Sequence, residues 1–188
     1  AIGYKNQLLF HIPEDMKRFR TLTIGHTILM GRKTFESLPH GALPNRRNIV
    51  VSHQNIQLEN CEVFPSIKQA LDACQDDVVF VIGGSSIYEQ TLQLADKIYL
   101  TQVESASAYA DTFFPEFHKE EWDECRECNI NILTSNTKET LSCTFYIYKK
   151  KSKQNEINLS KGANFVANRG NKRSNTLFRT NLPPIKTN

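Results

Sequence analysis

The sequence contains no run of about 18 apolar residues, which is the length that a membrane-spanning helix needs. Its first residues show no basic segment followed by an apolar one, as a secretory signal would. The chain also begins with alanine, so we interpret it as a fragment whose natural start is missing. These absences argue against membrane insertion and against secretion.

Cysteine is scarce and odd in number. The five residues are Cys61, Cys74, Cys125, Cys128 and Cys143. A scattered, odd set predicts reduced thiols, as in a cytoplasmic protein. Cys125 and Cys128 have C-x-x-C spacing, but no second pair and no nearby histidine completes a zinc ligand set. We therefore predict no metal site, and we interpret this stretch as a strand with incidental thiols.

Acidic charge is nearly absent from residues 151–188. This segment holds eight of the 23 Lys and Arg residues and one of the 20 acids, Glu156. The other 15 basic and 19 acidic residues give residues 1–150 a net charge of −4, so the overall +3 comes from the tail. The tail is rich in Asn, Lys and Ser and has no sustained period. We predict a domain over 1–150 and a disordered basic tail over 151–188.

Loose basic residues bind phosphate with little specificity, so a nucleic-acid-binding arm is the alternative for the tail. The tail carries no RNA-module motif, although Phe165 and Phe178 would suit stacking on bases. Charge without a recognised fold is weak support for such a role, and we predict no nucleic-acid partner.

Strand-like and helix-like patterns alternate through the first 100 residues, 39% of the chain being hydrophobic. The predicted strands cover residues 26–30, 47–52, 61–64, 78–82 and 96–105. Predicted helices start after Gly31, at Ser66 and after Gly84. Repeated strand–helix–strand units predict an α/β fold with a mostly parallel sheet flanked by helices. The long alternating runs 122–133 and 140–150 predict an antiparallel hairpin at its edge.

The stretch HIPEDMKRFRTL, residues 11–22, predicts a helix that begins near Pro13. Asp15, Phe19 and Leu22 then fall on one helical stripe. First-turn acids are common and solvated, because they suit the positive end of the helix dipole. A carboxylate that shares an apolar face is the less ordinary interpretation, since burial of such a group is costly.

Three predicted loops carry residues that suit phosphate groups, and each follows a predicted strand. In open α/β sheets, ligands bind beyond the carboxyl ends of the strands. The loops contain Gly31, Arg32, Lys33 and Thr34; Gly83, Gly84, Ser85 and Ser86; and Ser52, His53 and Gln54. Backbone N–H groups at a glycine-rich helix start bind phosphate. The usual G-x-G-x-x-G fingerprint is absent, and a plain tight turn explains the glycine pair equally well.

Six motifs occur in one order that resembles the bacterial dihydrofolate reductases, from about Ile2 to Lys150. They are IGYKNQLLFHIPEDMKRF, MGRKTFESL, LPNRRNIVVS, VIGGSSIYEQ, IYLTQV and ADTFFP. The resemblance implies NADPH-dependent reduction of 7,8-dihydrofolate to tetrahydrofolate in one-carbon metabolism. It also implies an eight-stranded, mostly parallel sheet with four helices, and a monomer.

The resemblance assigns Asp15 as the buried acid that binds the pterin 2-amino group and N3. Thr101 matches the residue that hydrogen-bonds this carboxylate, and Phe10 stands at a catalytic-site position where the family usually has Trp. Arg46 matches the cation that grips the substrate's glutamate α-carboxylate, with Arg47 as a weaker candidate. The implied apolar substrate contacts are Leu8, Met16, Phe19, Leu38, Leu43, Ile82 and Tyr88.

The resemblance also assigns the NADPH contacts, in three groups. A loop over the nicotinamide matches Ile2, Asn6 and Gln7. Contacts near the phosphates and the glycine turn match Gly31, Arg32, Lys33, Thr34, Ile82, Gly83, Gly84, Ser85, Ser86 and Ile87. The 2′-phosphate pocket matches Ser52, His53 and Gln54. Hydride would move from NADPH C4 to pterin C6, and N5 would gain its proton through water; the Gly83–Gly84 bond resembles the family's cis peptide.

Several departures from the family pattern affect these expectations. The first strand, which lies inside the family's sheet and gives backbone carbonyls to the pterin, has no counterpart before Ala1. Its loss would expose strand edges and weaken the fold or the activity. Ala110 replaces the usual Gly before DTFFP, and residues 151–188 match nothing in the family.

Two other functions remain open on the sequence. A pteridine or riboflavin-pathway reductase would share the fold, but Arg46 together with Asp15 favours a folate with its glutamate tail. An inactive fragment with a nucleic-acid-binding tail would show salt-sensitive binding that depends on residues 151–188.

Overall fold

An eight-stranded sheet with four helices forms the part of the chain that the computed structural model describes. The described residues are 1–74, 78–105, 109–133, 140–151 and 176–182. Within this part no helix has the length and apolar character to cross a membrane. The longest described helix has 11 residues.

The strands and helices closely follow the predicted alternation. The strands are β1 (Gly3–Tyr4), β2 (Gln7–Leu8), β3 (Thr27–Gly31), β4 (Arg47–Val51), β5 (Glu62–Phe64), β6 (Val79–Gly83), β7 (Lys97–Val103), β8 (Trp122–Leu133), β9 (Thr140–Lys150) and β10 (Thr176–Leu182). The helices are α1 (Pro13–Thr23), α2 (Arg32–Glu36), α3 (Ile67–Asp72) and α4 (Ser85–Thr91), with 3₁₀ turns at Leu92–Leu94 and Lys119–Glu121.

The large sheet has the strand order β5-β4-β3-β6-β10-β7-β9-β8. Its pairs are parallel from β5 to β7, and β9 and β8 add two antiparallel pairs at the far edge. The short strands β1 and β2 form a separate hairpin. The predicted fold class, a mostly parallel sheet with an antiparallel hairpin at its edge, is confirmed.

The central strands are buried on both faces, as their continuous apolar runs require. On β3, Ile28 and Met30 pack on one face with Leu22 of α1 and Phe35 of α2. Leu29 belongs to the cluster on the other face, which includes residues of α3 and α4. Alternating side chains of one strand therefore hold helices on both sides of the sheet.

The carboxyl ends of β3, β4 and β6 meet at one edge of the sheet. Met30 lies opposite Gly83, and Gly31 lies opposite Val51. The three loops that were singled out in the sequence therefore emerge side by side. The peptide bond between Gly83 and Gly84 is cis, as the resemblance implied.

The structure departs from the expectation of a wholly disordered tail at Thr176–Leu182. This segment is β10, a parallel strand between β6 and β7. Its pairing partners lie far away in sequence, so its composition alone could not reveal them. Residues 152–175 and 183–188 lie outside the described residues.

Gly83 is required by both its backbone angle and its packing. Its φ is +110°, and a Cβ there would lie 3.1 Å from the ring of Tyr88. Gly25 also has a positive φ, +77°, but a Cβ there would meet nothing within 4 Å. A comparison of Gly83 with Gly25 therefore distinguishes the cost of backbone strain, which both positions have, from the cost of steric crowding, which Gly83 has and Gly25 lacks.

We expect Gly83→Ala to lower the free energy of unfolding by about 2–4 kcal/mol, because it adds a clash to the backbone strain. Gly25→Ala, the control, should lose only about 1–2 kcal/mol. Urea denaturation measures both losses. Equal losses in the two variants would contradict the packing at Gly83.

Candidate active site

Asp15 is a buried carboxylate held between α1 and β7. Asp15 lies in the first turn of α1 and is only 1% exposed. The Thr101 hydroxyl donates a hydrogen bond of 2.8 Å to Asp15 Oδ1. Thr101 itself is fully buried in the middle of β7. The interpretation of Asp15 as a solvated first-turn acid is therefore wrong.

Several buried apolar residues lie near Asp15 and Cys143. Ile12, Val103 and Cys143 form a buried cluster, and the half-buried Phe10 packs against it. Burial, reinforced by the negative charge of Asp15, raises the pKa of Cys143 to about 11. The Cys143 thiol therefore stays protonated at neutral pH.

An apolar face leads from Asp15 along α1 to a cation. Phe19 follows Asp15 by one helical turn, and the Arg46 guanidinium lies 5.9 Å from the Phe19 ring centroid. Leu38 and Leu43 pack with Leu22 against the neighbouring core cluster. A carboxylate and a guanidinium thus flank one apolar surface.

Two oxygen atoms orient Arg46. Its Nη1 donates to Thr23 Oγ1 at 3.1 Å, and its Nε donates to the Pro44 carbonyl at 3.0 Å. The Thr23 hydroxyl in turn donates to the Phe19 carbonyl at 2.8 Å, which ties Arg46 to α1. Burial and the nearby Arg20 lower the pKa of Arg46 from its ordinary value. Both causes would be offset by an anionic ligand group at this place.

Arg47 points to a different function from Arg46. Its Nε and Nη2 bind the two carboxylate oxygens of Glu62 at 2.7 and 2.9 Å. This forked pair joins β4 to β5 and leaves Arg46 as the cation beside Phe19. The resemblance had named Arg46 as the substrate-binding cation and Arg47 as the weaker candidate, and this remains a prediction.

Asn48 is an organising residue that the sequence analysis missed. It is 4% exposed, and its Nδ2 donates to the carbonyls of Leu43 and Arg46, each at 2.9 Å. Its Oδ1 accepts the Leu43 N–H at 2.8 Å. Asn48 thereby fixes the loop that carries Arg46. A buried polar residue at the start of an apolar strand was the only sequence signal available.

The remaining implied substrate contacts are spread over two regions. Met16 and Ile82 are half-buried, while Leu8 on the β1–β2 hairpin is 56% exposed. Tyr88 is buried beside Gly83, and its ring centroid lies 5.0 Å from that of Phe114. Leu8 is therefore largely exposed to solvent, whereas Tyr88 packs against the glycine turn from within the core.

The two glycine loops touch each other. A Cβ on Gly31 would lie 3.1 Å from Ile87 Cγ1, and a Cβ on Gly84 would lie 3.4 Å from Thr34 Oγ1. Glycine at these positions permits this close approach. The starts of α2 and α4, with Ser85 half-buried and Ser86 exposed, therefore adjoin one another.

The charged and polar residues around these loops differ in exposure. Lys33 is exposed, and Arg32 forms an ion pair of 2.5 Å with Glu36. After β4, Ser52 is buried and its Oγ accepts the Gln54 N–H at 3.1 Å, while His53 and Gln54 are exposed. No group of three or more His, Cys, Asp and Glu residues suited to a metal ion occurs among the described residues.

The amino-terminal hairpin is tied to these loops. Asn6 Nδ2 donates to the Lys33 carbonyl at 3.0 Å, and the buried Ile2 donates its N–H to the Thr112 carbonyl at 2.8 Å. Gln7, on β2, is exposed.

Asp111 is a second organising residue that the sequence analysis missed, although it lies in the ADTFFP motif. The Lys5 N–H donates to its Oδ2 at 2.8 Å. This hydrogen bond is the main cause that lowers the pKa of Asp111. Asp111 therefore stays ionised and anchors the hairpin turn that carries Asn6.

Comparison with known proteins shows the family to which the chain belongs. The family model for dihydrofolate reductase matches residues 1–150. The dihydrofolate reductase of Bacillus subtilis is 38% identical over 153 residues, covering 80% of this chain and 88% of that protein. That of Haemophilus influenzae is 42% identical over 124 residues, covering 65% and 76%.

A solved structure agrees with the sequence relatives. Dihydrofolate reductase from Enterococcus faecalis, complexed with NADP(H) and RAB-propyl, superimposes with a TM-score of 0.69 at 27% identity. The match covers 81% of this chain and 90% of that one. The matched family region contains Asp15, Arg46 and both glycine loops, and the chain belongs to the dihydrofolate reductase family.

Proposed function

We propose that this chain reduces 7,8-dihydrofolate to 5,6,7,8-tetrahydrofolate with NADPH, at the site around Asp15. Membership of the family supports the reaction. The observation that carries the assignment is the buried Asp15–Thr101 pair, which is joined by the apolar Phe19 surface to Arg46. A substrate with polar groups at both ends of a flat apolar body would contact all three features: the Asp15–Thr101 pair, the apolar surface at Phe19 and the guanidinium of Arg46.

Asp15 binds the pterin ring in this proposal. Its carboxylate accepts hydrogen bonds from the 2-amino group and N3, and the Thr101 hydroxyl fixes its orientation. The negative charge stabilises the positive charge that develops on the ring as N5 takes its proton from water. The buried Ile12 and Val103 keep bulk water away from the carboxylate, which strengthens its interaction with the ring.

Arg46 binds the other end of the substrate. A guanidinium offers two parallel N–H groups to a carboxylate, which is the group that ends the glutamate tail. Thr23 and the Pro44 carbonyl hold the guanidinium over Phe19, so its orientation does not depend on the ligand. Phe19, Leu38 and Leu43 supply the apolar contacts between the two ends.

The donor set around the glycine loops fits NADPH. Lys33, Arg32 and Thr34 at the start of α2, and Ser85 and Ser86 at the start of α4, offer cations, hydroxyls and backbone N–H groups to phosphates. Ser52, His53 and Gln54 would bind the 2′-phosphate, where an acidic residue would be unfavourable. NADPH supplies the hydride that pterin C6 accepts. Asn6 holds the amino-terminal hairpin against Lys33, beside these loops.

We further propose that residues 1–150, completed by the strand β10, form the catalytic domain and that the enzyme works in the cytoplasm as a monomer, without a nucleic-acid partner. All five cysteines are free thiols, which supports a reducing compartment.

Asp15→Asn should lower kcat/KM for dihydrofolate by about 100-fold or more, because the amide carries no charge and turns an N–H toward the ring. The affinity for NADPH should change little. Initial rates from the loss of NADPH absorbance measure the effect. Glu14→Gln is the matched control, since Glu14 is an exposed acid in the same helical turn. Equal rates for Asp15→Asn and the parent chain would contradict the assignment.

Arg46→Lys should raise KM for dihydrofolate about tenfold with little change in kcat, because the contact is equally strong in the ground state and the transition state. A dihydropterin without the glutamate tail should be reduced equally by parent and variant. Arg47→Lys, which affects the Glu62 pair, is the control and should leave KM unchanged. An unchanged KM in Arg46→Lys would favour a pteridine reductase that acts on substrates without this tail.

A further inference from the structure

Among the described strands, β10 is the only one that pairs with both halves of the sheet. One half contains β5, β4, β3 and β6, and the other contains β7, β9 and β8. Residues 176–178 pair with β6, and residues 177–182 pair with β7. Among the described strands, β6 and β7 do not pair with each other.

The two strands that β10 joins are core strands. Val79 and Val81 of β6 are fully buried, and Ile98 and Leu100 of β7 are 0% and 2% exposed. Backbone N–H and C=O groups in such a position are costly when they have no partner. A strand between them is therefore needed, and Thr176–Leu182 is the segment that occupies the position.

The proposed site is divided between the same two halves. Thr101 and its partner Asp15 belong to the β7 side, and Thr101 lies directly opposite Asn181 of β10. Gly83 and Gly31 end β6 and β3, on the other side. β10 therefore pairs with the strand that carries Thr101 and with the strand that ends at Gly83, while α1, which carries Asp15, also packs against β3 through Leu22.

β10 also separates from β6 where the site begins. Its ladder with β6 ends at Phe178 and Val81, while its ladder with β7 continues for four residues, to Leu182 and Gln102. In a parallel sheet, alternate backbone groups of a strand face each neighbour. The backbone of residues 179–182 thus borders an opening at the carboxyl edge of the sheet, where ligands bind in such folds.

We propose that the carboxyl-terminal segment Thr176–Leu182 is a positioning element of the active site. It holds the Asp15–Thr101 half and the glycine-loop half at the separation that hydride transfer needs, and the backbone of residues 179–182 lines the cleft between them. This inference rests on the proposed function for its catalytic part. Its structural part, the insertion of β10 in the sheet, is tested without any turnover.

Hydrogen exchange of the full chain, followed by mass spectrometry, tests the insertion. Peptides that cover Thr176–Leu182 should exchange about 100-fold or more slowly than a free peptide of the same sequence, as peptides from β6 should. Addition of folate together with NADPH should slow exchange further at residues 179–182. Exchange of this segment as fast as in the free peptide would overturn the proposal.

A proline variant of the full chain tests the positioning role. Phe178→Pro removes a backbone N–H from a central strand, where proline is not tolerated. Hydride transfer in a single turnover should fall about 100-fold, while binding of NADPH and of folate falls much less, because each half of the site persists but their separation is lost. Lys186→Pro, later in the same tail, is the control and should behave like the parent.

The outcomes separate the two proposals. Failure of Phe178→Pro to fold, with Lys186→Pro intact, still supports a central strand at this position. Identical transfer rates in Phe178→Pro, Lys186→Pro and the parent would overturn the positioning role. A parent chain that protects Thr176–Leu182 but neither binds nor reduces dihydrofolate would instead contradict the proposed function and leave the insertion of β10 supported.

Discussion

The hydrogen bond between Thr101 and Asp15 is the interaction on which the rest of the site depends. It holds a carboxylate that is 1% exposed against the middle of a buried strand. A buried ion carries a desolvation penalty of several kcal/mol, whereas a hydrogen bond to a charged group contributes about 1.5–3 kcal/mol. An apolar side chain in this place would serve stability equally well or better. Stability alone therefore does not account for a buried carboxylate at this position.

Each neighbouring feature follows from this constraint. The first turn of α1 places Asp15 at the favourable end of the helix dipole, which contributes about 0.3–1 kcal/mol. Cys143 remains a neutral thiol beside it, because burial and the nearby acids raise its pKa. Farther along α1, Thr23 orients Arg46 over Phe19. One helix thus aligns the two charged ends of the proposed substrate site.

The parts of the site that are local in sequence were predictable. Helical spacing put Asp15 on the face of Phe19, and strand–glycine–helix patterns identified the loops at Gly31 and Gly83. The general order of strands and helices followed from the same periodic patterns. These signals depend on neighbours within one or two turns, which a sequence displays directly.

The missed parts depend on contacts between distant residues. Asn48 and Asp111 form hydrogen bonds with backbone groups of other loops. The sequence around a polar side chain does not show which distant backbone group it will bind. The ion pair between Arg47 and Glu62 depends on the register of β4 and β5. The strand β10 pairs with segments about 80 to 100 residues away, so parallel pairing of this kind leaves no local pattern.

The most direct test of the account is the fate of the hydride. The purified full chain is mixed with dihydrofolate and with NADPH that carries deuterium at both C4 positions, and the product is examined by mass spectrometry and NMR. The account predicts tetrahydrofolate with one deuterium at C6 and a solvent proton at N5. No tetrahydrofolate, or tetrahydrofolate without deuterium at C6, from a folded chain would contradict it.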